Sequence, residues 1–508
     1  MKAFTEPLLS LAGFEEMTKT AEKSSGLISV TGCIDAQKSQ MIYAFGGHRK
    51  NKLIVTFGEQ KAKELYDEYS FFDKEVVYYP SKDVLFYQSD IRGNLLTAER
   101  IRALKAIREQ ERVTLVTTFD ALMNTMAPIE KMWENVLTLE QEQLLDLKEI
   151  QAALIRMGYE KEYQVQTMGQ FSVRGGILDV FPLTEENPIR IELWGDEIDT
   201  IRYFDCESQK SIENIEQVSI YPAAELVLSD EEKAGGIEKL KAEAKRVSDK
   251  LRKQMKTEEA HRVSEMADEL TEEWGELSMY AGMDAFLSYF FDERVGLLDY
   301  FKPSDSLIFF DELTRCTEQG KLTETEFSES MKQRLAMGYI LPGQMNGLFT
   351  EKEIVAKLGK YSCIALGALD NKANGLHQLG SYGIHCQSVS PYNNSFELLI
   401  KDLKRYKKNG YRVILLSGSR TRAKRLSEDI TDQGITCFYT ENYDHELFEG
   451  QIMVCYGKVR RGFEYPILKF AVITESDIFG AQQKKKKRHR TYEGEKIQSF
   501  TDLSVGDY

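Results

Sequence analysis

Four short runs of apolar, mostly β-branched or aromatic residues punctuate the first 120 positions, at 27–30, 52–57, 75–79 and 113–118. Stretches with helical spacing lie among them at 59–70 and 96–110. Such alternation predicts βαβ units around a mostly parallel sheet. Near residue 145 the pattern changes. A helical stretch at 147–157 leads to Gly158 and Tyr159, and then apolar and polar positions alternate through 171–173, 176–181, 189–194 and 197–204. A period of two predicts half-buried antiparallel strands, so this is a compact α+β unit that ends near Tyr221 and Pro222. Residues 229–275 are charged and helical in pattern, rich in Lys, Glu, Ala and Met, and predict a solvated face. An apolar segment follows at 286–300, and 306–310 reads as a strand that ends in Asp311 and Glu312. A further α/β region covers about 345–480, with its clearest strands at 413–416 and 471–474. The predicted class is therefore α/β and multidomain: a parallel-sheet lobe interrupted by a small α+β domain and followed by a second α/β domain.

Composition narrows the function classes. A chain of 508 residues with 42% hydrophobic and 29% charged residues suits a globular protein of several domains. No apolar run approaches the roughly 20 residues that span a bilayer, and the first residues lack the pattern of a signal peptide. The expected location is the cytoplasm, with no membrane partner. Cys33, Cys206, Cys316, Cys363, Cys386, Cys437 and Cys455 are scattered and never spaced C-x-x-C, which argues for reduced thiols and against a zinc site. The six histidines show no ligand spacing either. A net charge of −15 disfavours general binding to nucleic acid, so DNA contact is expected to be weak or absent and protein partners are favoured.

The first strand runs into Gly32 and continues through Cys33, Ile34, Asp35, Ala36 and Gln37 to Lys38 and Ser39. Gly32, Lys38 and Ser39 hold the spacing of a phosphate-binding loop, G-x-x-x-x-G-K-[ST], but Gln37 replaces the second glycine. A Cβ there obstructs the approach of backbone N–H groups to phosphate. Asp35 adds a carboxylate where a triphosphate needs positive charge. Asp311 and Glu312, after an apolar run, resemble the acid pair that orders Mg²⁺ and water in a motor ATPase; acids at a helix start are the simpler explanation. Together these residues read as a degenerate nucleotide site that binds neither ATP nor Mg²⁺.

A second constellation lies in the small domain. Arg174 precedes Gly175 and Gly176, Arg190 sits on a following strand, and Trp194 lies four residues beyond it. Even spacing places Arg190 and Trp194 on one face of that strand. Two arginines and a tryptophan on a small sheet suit a protein-binding hot spot, or equally a surface of paired arginines with a half-buried ring. Arg420, Arg422, Lys424 and Arg425 open a helix after a strand, where a solvated face outweighs phosphate binding. The basic run at 484–490 reads as a charged linker.

Certain stretches carry a resemblance: Gly158-Tyr159 with Gln164-Val165, residues 169–182 (GQFSVRGGILDVFP), residues 196–199 (DEID) and residues 474–480 (TESDIFG). In these the chain resembles the N-terminal part of the Mfd family, the bacterial transcription-repair coupling factors, which share their first domains with the excision-repair protein UvrB. The resemblance implies a UvrB-like, RecA-like domain over 1–140 and 225–340, and a UvrA-binding module over 141–224. It further implies an α/β domain over 345–480 with no defined role, then a linker and the first residues of an RNA-polymerase-interacting domain over 481–508. Arg174, Arg190 and Trp194 fall where the family's UvrA-binding face lies, Trp194 standing where some members have Phe. RNA polymerase would be met only through sequence beyond this chain, and ATP and Mg²⁺ by motor lobes also beyond it. Residues 83–96 look too short for the tyrosine-rich hairpin with which UvrB grips damaged DNA. The expected function is recruitment of UvrA in transcription-coupled excision repair. The competing readings are a UvrB-like ATP-dependent enzyme on damaged DNA and a fragment with no independent role.

Overall fold

The computed structural model describes residues 1–45, 50–82, 93–276, 282–371 and 374–480. Most of residues 83–96 and the whole of 481–508, including the basic run, lie outside them. Seven parallel strands form the main sheet, in the order Gln378–Gly383, Gly26–Thr31, Ser362–Leu366, Ser306–Asp311, Asn51–Thr56, Val113–Thr118 and Val77–Tyr79. Its central strands are buried on both faces, which is why they read as continuous apolar runs. Leu27, Leu53, Val55, Leu115, Ile308, Phe310 and Cys363 enter one core, while Ile28, Ile54, Val116, Leu307, Phe309 and Ile364 enter the other.

The expected division near 340–345 is not where the sheets part. Ser362–Leu366 inserts between Gly26–Thr31 and Ser306–Asp311, and Gln378–Gly383 adds the edge beyond Gly26–Thr31. The first lobe therefore draws on the chain as far as Gly383. The next sheet takes Gln387–Ser388, Phe463–Tyr465, Phe470–Thr474, Arg412–Ser417, Ile452–Tyr456 and Phe438–Tyr439, in that order. One of its faces, with Ile414, Leu416, Met453, Phe463, Tyr465 and Val472, shares a hydrophobic cluster with the main sheet. The two α/β units are thus packed through a common core.

The small domain leaves and rejoins the lobe through one ribbon, in which Leu137–Glu140 pairs antiparallel with Gln217–Ile220. Between them six strands are ordered Ser211–Ile215, Glu197–Phe204, Ile189–Trp194, Ile177–Val180, Gln170–Arg174 and Glu160–Lys161. All neighbours are antiparallel except the last pair. Helix Leu147–Arg156, capped by the Asp146 carboxylate, covers one face. Ile150 and Leu154 pack there against Phe171, Leu178, Val180, Ile189 and Ile191. The alternate positions, Ser172, Arg174, Asp179, Arg190, Glu192 and Trp194, belong to the opposite face, which no helix among the described residues covers. Arg100, fully buried on helix Gly93–Glu109, donates to both Glu225 oxygens at 2.7 and 3.0 Å and so ties the chain just past the small domain to the lobe.

Candidate functional site

The loop read as a degenerate nucleotide site is filled by the chain's own groups. Gly32 turns with φ 77°, and a Cβ built on it would lie 2.1 Å from the Ile384 carbonyl oxygen, so the backbone of 384 closes over the loop. In helix Asp35–Phe45, Gln37, Lys38 and Ser39 are all buried. The Tyr465 hydroxyl, from the neighbouring sheet, donates toward Gln37 Oε1 and Gln40 Oε1, each at 3.3 Å. Lys38 Nζ, the group that would reach phosphate, donates to Asp311 at 2.5 Å, to Asp35 at 3.0 Å and to Glu312 at 3.1 Å. Burial pushes the Lys38 ammonium down, but Asp311, Asp35 and Glu312 outweigh burial and hold it above the ordinary lysine value. Asp35 also pairs with Lys61 at 2.8 Å. Burial opposes its ionisation, yet Lys61 and Lys38 bring its carboxyl down to about 2. The residues do not fit a nucleoside triphosphate, because cation, acids and backbone already satisfy one another.

The outward face of the small sheet is organised around Asp179, which is 1% exposed. Strand register sets Ser172, Asp179, Arg190 and Arg202 in one row across four strands. Arg190 donates from Nε and Nη2 to the two Asp179 oxygens at 2.7 and 2.8 Å, and from Nη2 to Gln209 at 2.8 Å. Its guanidinium also stacks 4.3 Å above the Phe204 ring. Arg174 donates one Nη to Asp179 at 2.8 Å. The hydrogen bonds and the charge of Asp179 outweigh burial and raise the Arg190 pKa further. Arg202 turns to Glu192 and Thr200. Trp194, two positions past Glu192, is 84% exposed at the turn through Gly195, whose φ is 68°.

The structure thus brings Arg174, Arg190 and Trp194 to one face, but in unequal circumstances. The Arg190 side chain is 13% exposed with Nε and Nη2 committed, while that of Arg174 is 36% exposed with one bond among the described residues. Asp179, which holds both, had no role in the sequence reading. Its signal was a carboxylate in the middle of the apolar run 177–181. Arg420 and Arg422 pair with Glu441 and Glu475, and Glu475 accepts from Gly418 N–H at 2.6 Å, so a carboxylate of the chain itself takes the anion position at that helix start. Among the described residues no group of His, Cys, Asp and Glu is placed to hold a metal, and no helix is long and apolar enough to cross a membrane.

Residues 137–226 match the UvrB interaction domain, the segment that contains this face. Along the whole chain the similarity is to transcription-repair-coupling factors. That of Bacillus subtilis (strain 168) is 28% identical over 459 residues, 90% of this chain and 38% of the relative. That of Staphylococcus haemolyticus is 28% identical over 95% of this chain and 41% of the relative, and that of Staphylococcus aureus (strain MRSA252) 27% over 97% and 42%. The chain spans about two-fifths of the length of the relatives it matches. Across nearly its full length, the chain resembles the N-terminal portion of the transcription-repair-coupling factors, with a UvrB interaction domain at its centre.

Proposed function

We propose that this chain recruits UvrA to excision repair coupled to transcription, through the uncovered face of its inserted sheet. The observation that supports this best is the arginine pair ordered by buried Asp179 beside exposed Trp194, inside a UvrB interaction domain. Arg174 has guanidinium donors to spare and meets an acidic group of the partner by a charge-assisted bond. Arg190 acts mainly by positioning Asp179, which in turn aims Arg174. Trp194 supplies apolar area whose burial drives association. The RecA-like lobe serves as the scaffold that carries the face, and its filled phosphate loop performs no ATP chemistry. The test is co-elution of purified UvrA with the whole chain by size exclusion. Co-elution is expected with wild type and lost with Arg174→Ala combined with Trp194→Ala, and full co-elution of that variant would refute the assignment of the face.

A further inference from the structure

A second aromatic ring stands at the same face. Tyr163 is 84% exposed, yet its backbone is pinned. Its carbonyl accepts from Ser172 Oγ at 2.7 Å, and the Glu162 N–H donates to Phe171 O at 2.8 Å. Farther along the loop, the N–H groups of Gln166 and Thr167 both donate to Gln170 Oε1 at 3.0 Å, and Val165 is completely buried. A loop held this way fixes the point on the face from which the tyrosine side chain projects into water. No burial within the described chain accounts for the ring.

The sheet register locates it. Ser172, opposite Asp179, fixes Tyr163 at the edge of the row that holds Arg190. Arg174 lies one row on, with Ile177 and Glu192. Trp194 lies one row beyond that, where Leu193 N–H donates to Gly176 O at 2.8 Å and ties its strand to the turn after Arg174. Tyr163, Arg174 and Trp194 therefore occupy three successive rows. Each ring is 84% exposed, and the arginine between them bonds to Asp179 through a single Nη among the described residues.

We propose that Tyr163 and Trp194 bracket Arg174 as one recognition element, which takes a protein segment presenting a carboxylate between two apolar side chains. The inference rests on the assignment of this face to UvrA and adds Tyr163 to it. Charge complementarity selects the acid, because Arg174 offers unspent donors while Asp179 and Glu192 are already paired with arginines. Two large rings on either side exclude water from that ion pair and so strengthen it. A tyrosine on a fixed loop also loses little side-chain freedom on binding.

Calorimetric titration of purified UvrA into the whole chain tests this with Tyr163→Ala, Tyr163→Phe, Arg174→Ala and Trp194→Ala. Tyr163→Ala is expected to weaken binding by about tenfold or more, as for an aromatic anchor, and Tyr163→Phe by no more than about threefold. The melting temperature of Tyr163→Ala should match wild type, since the ring is already in water. Wild-type affinity for Tyr163→Ala, with loss for Arg174→Ala and Trp194→Ala, overturns the role of Tyr163 and leaves the face intact. Wild-type affinity for all four variants overturns both.

Discussion

Lys38 offers the sharpest separation between a working nucleotide site and a structural one. In a working site, removing the lysine would abolish phosphate binding and leave the fold nearly as stable. Here the lysine neutralises three carboxylates, and their circumstances differ. Asp35 is 70% exposed and keeps Lys61, and Glu312 is 23% exposed and can rehydrate, so neither loses much. Asp311 is 1% exposed and would retain, among the described residues, only its bond from Thr56 Oγ1 at 3.1 Å. Breaking a buried ion pair from one side costs about 3–5 kcal/mol, because the remaining charge stays desolvated. The hydroxyl that Asp311 keeps argues for the lower end, so Lys38→Met should destabilise the lobe by about 3 kcal/mol. Removing both charges, as in Lys38→Met with Asp311→Asn, should recover most of that and leave about 1 kcal/mol. Unfolding of a multidomain chain is not two-state, so the measurement should be local. Hydrogen exchange of the strand Ser306–Asp311, followed by mass spectrometry, gives the opening free energy of the lobe itself. A cost below about 1 kcal/mol for Lys38→Met, or Mg-ATP protection of that strand in wild type but not in the variant, would refute the structural role.

Two further outcomes follow from buried acids. Arg190→Ala strips Asp179 of two bonds and removes the stack on Phe204, so the small domain should lose about 2–4 kcal/mol, against about 1 or less for the more exposed Arg174; hydrogen exchange over residues 177–194 distinguishes them. Glu68, on helix Glu59–Tyr69, accepts from Arg460 N–H at 3.3 Å across the contact with the second α/β unit, and burial raises its carboxyl from 4.5 to about 7 despite nearby Arg460. The folded state then binds more protons than the unfolded between those values, so this contribution is present at low pH and is lost as pH rises from about 4.5 to 7. The stability difference between wild type and Glu68→Gln, followed from pH 4 to 8, should drift against wild type across about 4.5 to 7 and be flat above it; no pH dependence in that difference would contradict the assignment.

Much of the fold was legible because buried parallel strands are apolar throughout and half-buried strands alternate. The four early strands and the inserted antiparallel sheet stood out on those patterns. Two strands of the main sheet did not. Ser362–Leu366 is a five-residue run that could equally end a helix, and Gln378–Gly383 is a glycine-containing edge strand whose large apolar residues, Leu379 and Tyr382, do not alternate with period two. Both lie within the range read as the second α/β unit, yet pair in the main sheet. The arginines and the tryptophan were readable from a motif and from strand parity. Asp179 was not, because an acid inside an apolar strand looks like an interruption until its register partners are known. Nor could the sequence show that Lys38 meets Asp311, 273 residues away, or that Asp35 also meets Lys61. Spacing along the chain carries local geometry only, and these pairs form when elements distant in sequence become neighbours in the fold.

The central claim is that the uncovered face of the inserted sheet binds UvrA. Isothermal titration of UvrA into the whole chain, wild type beside Arg174→Ala and Trp194→Ala, tests it most directly. Neither side chain holds much of the fold together, so a loss of affinity reports contact and not collapse. The account predicts saturable binding to wild type and a loss of about 2 kcal/mol or more, some thirtyfold, in each variant. Equal affinity in all three, or no binding by wild type, would contradict it.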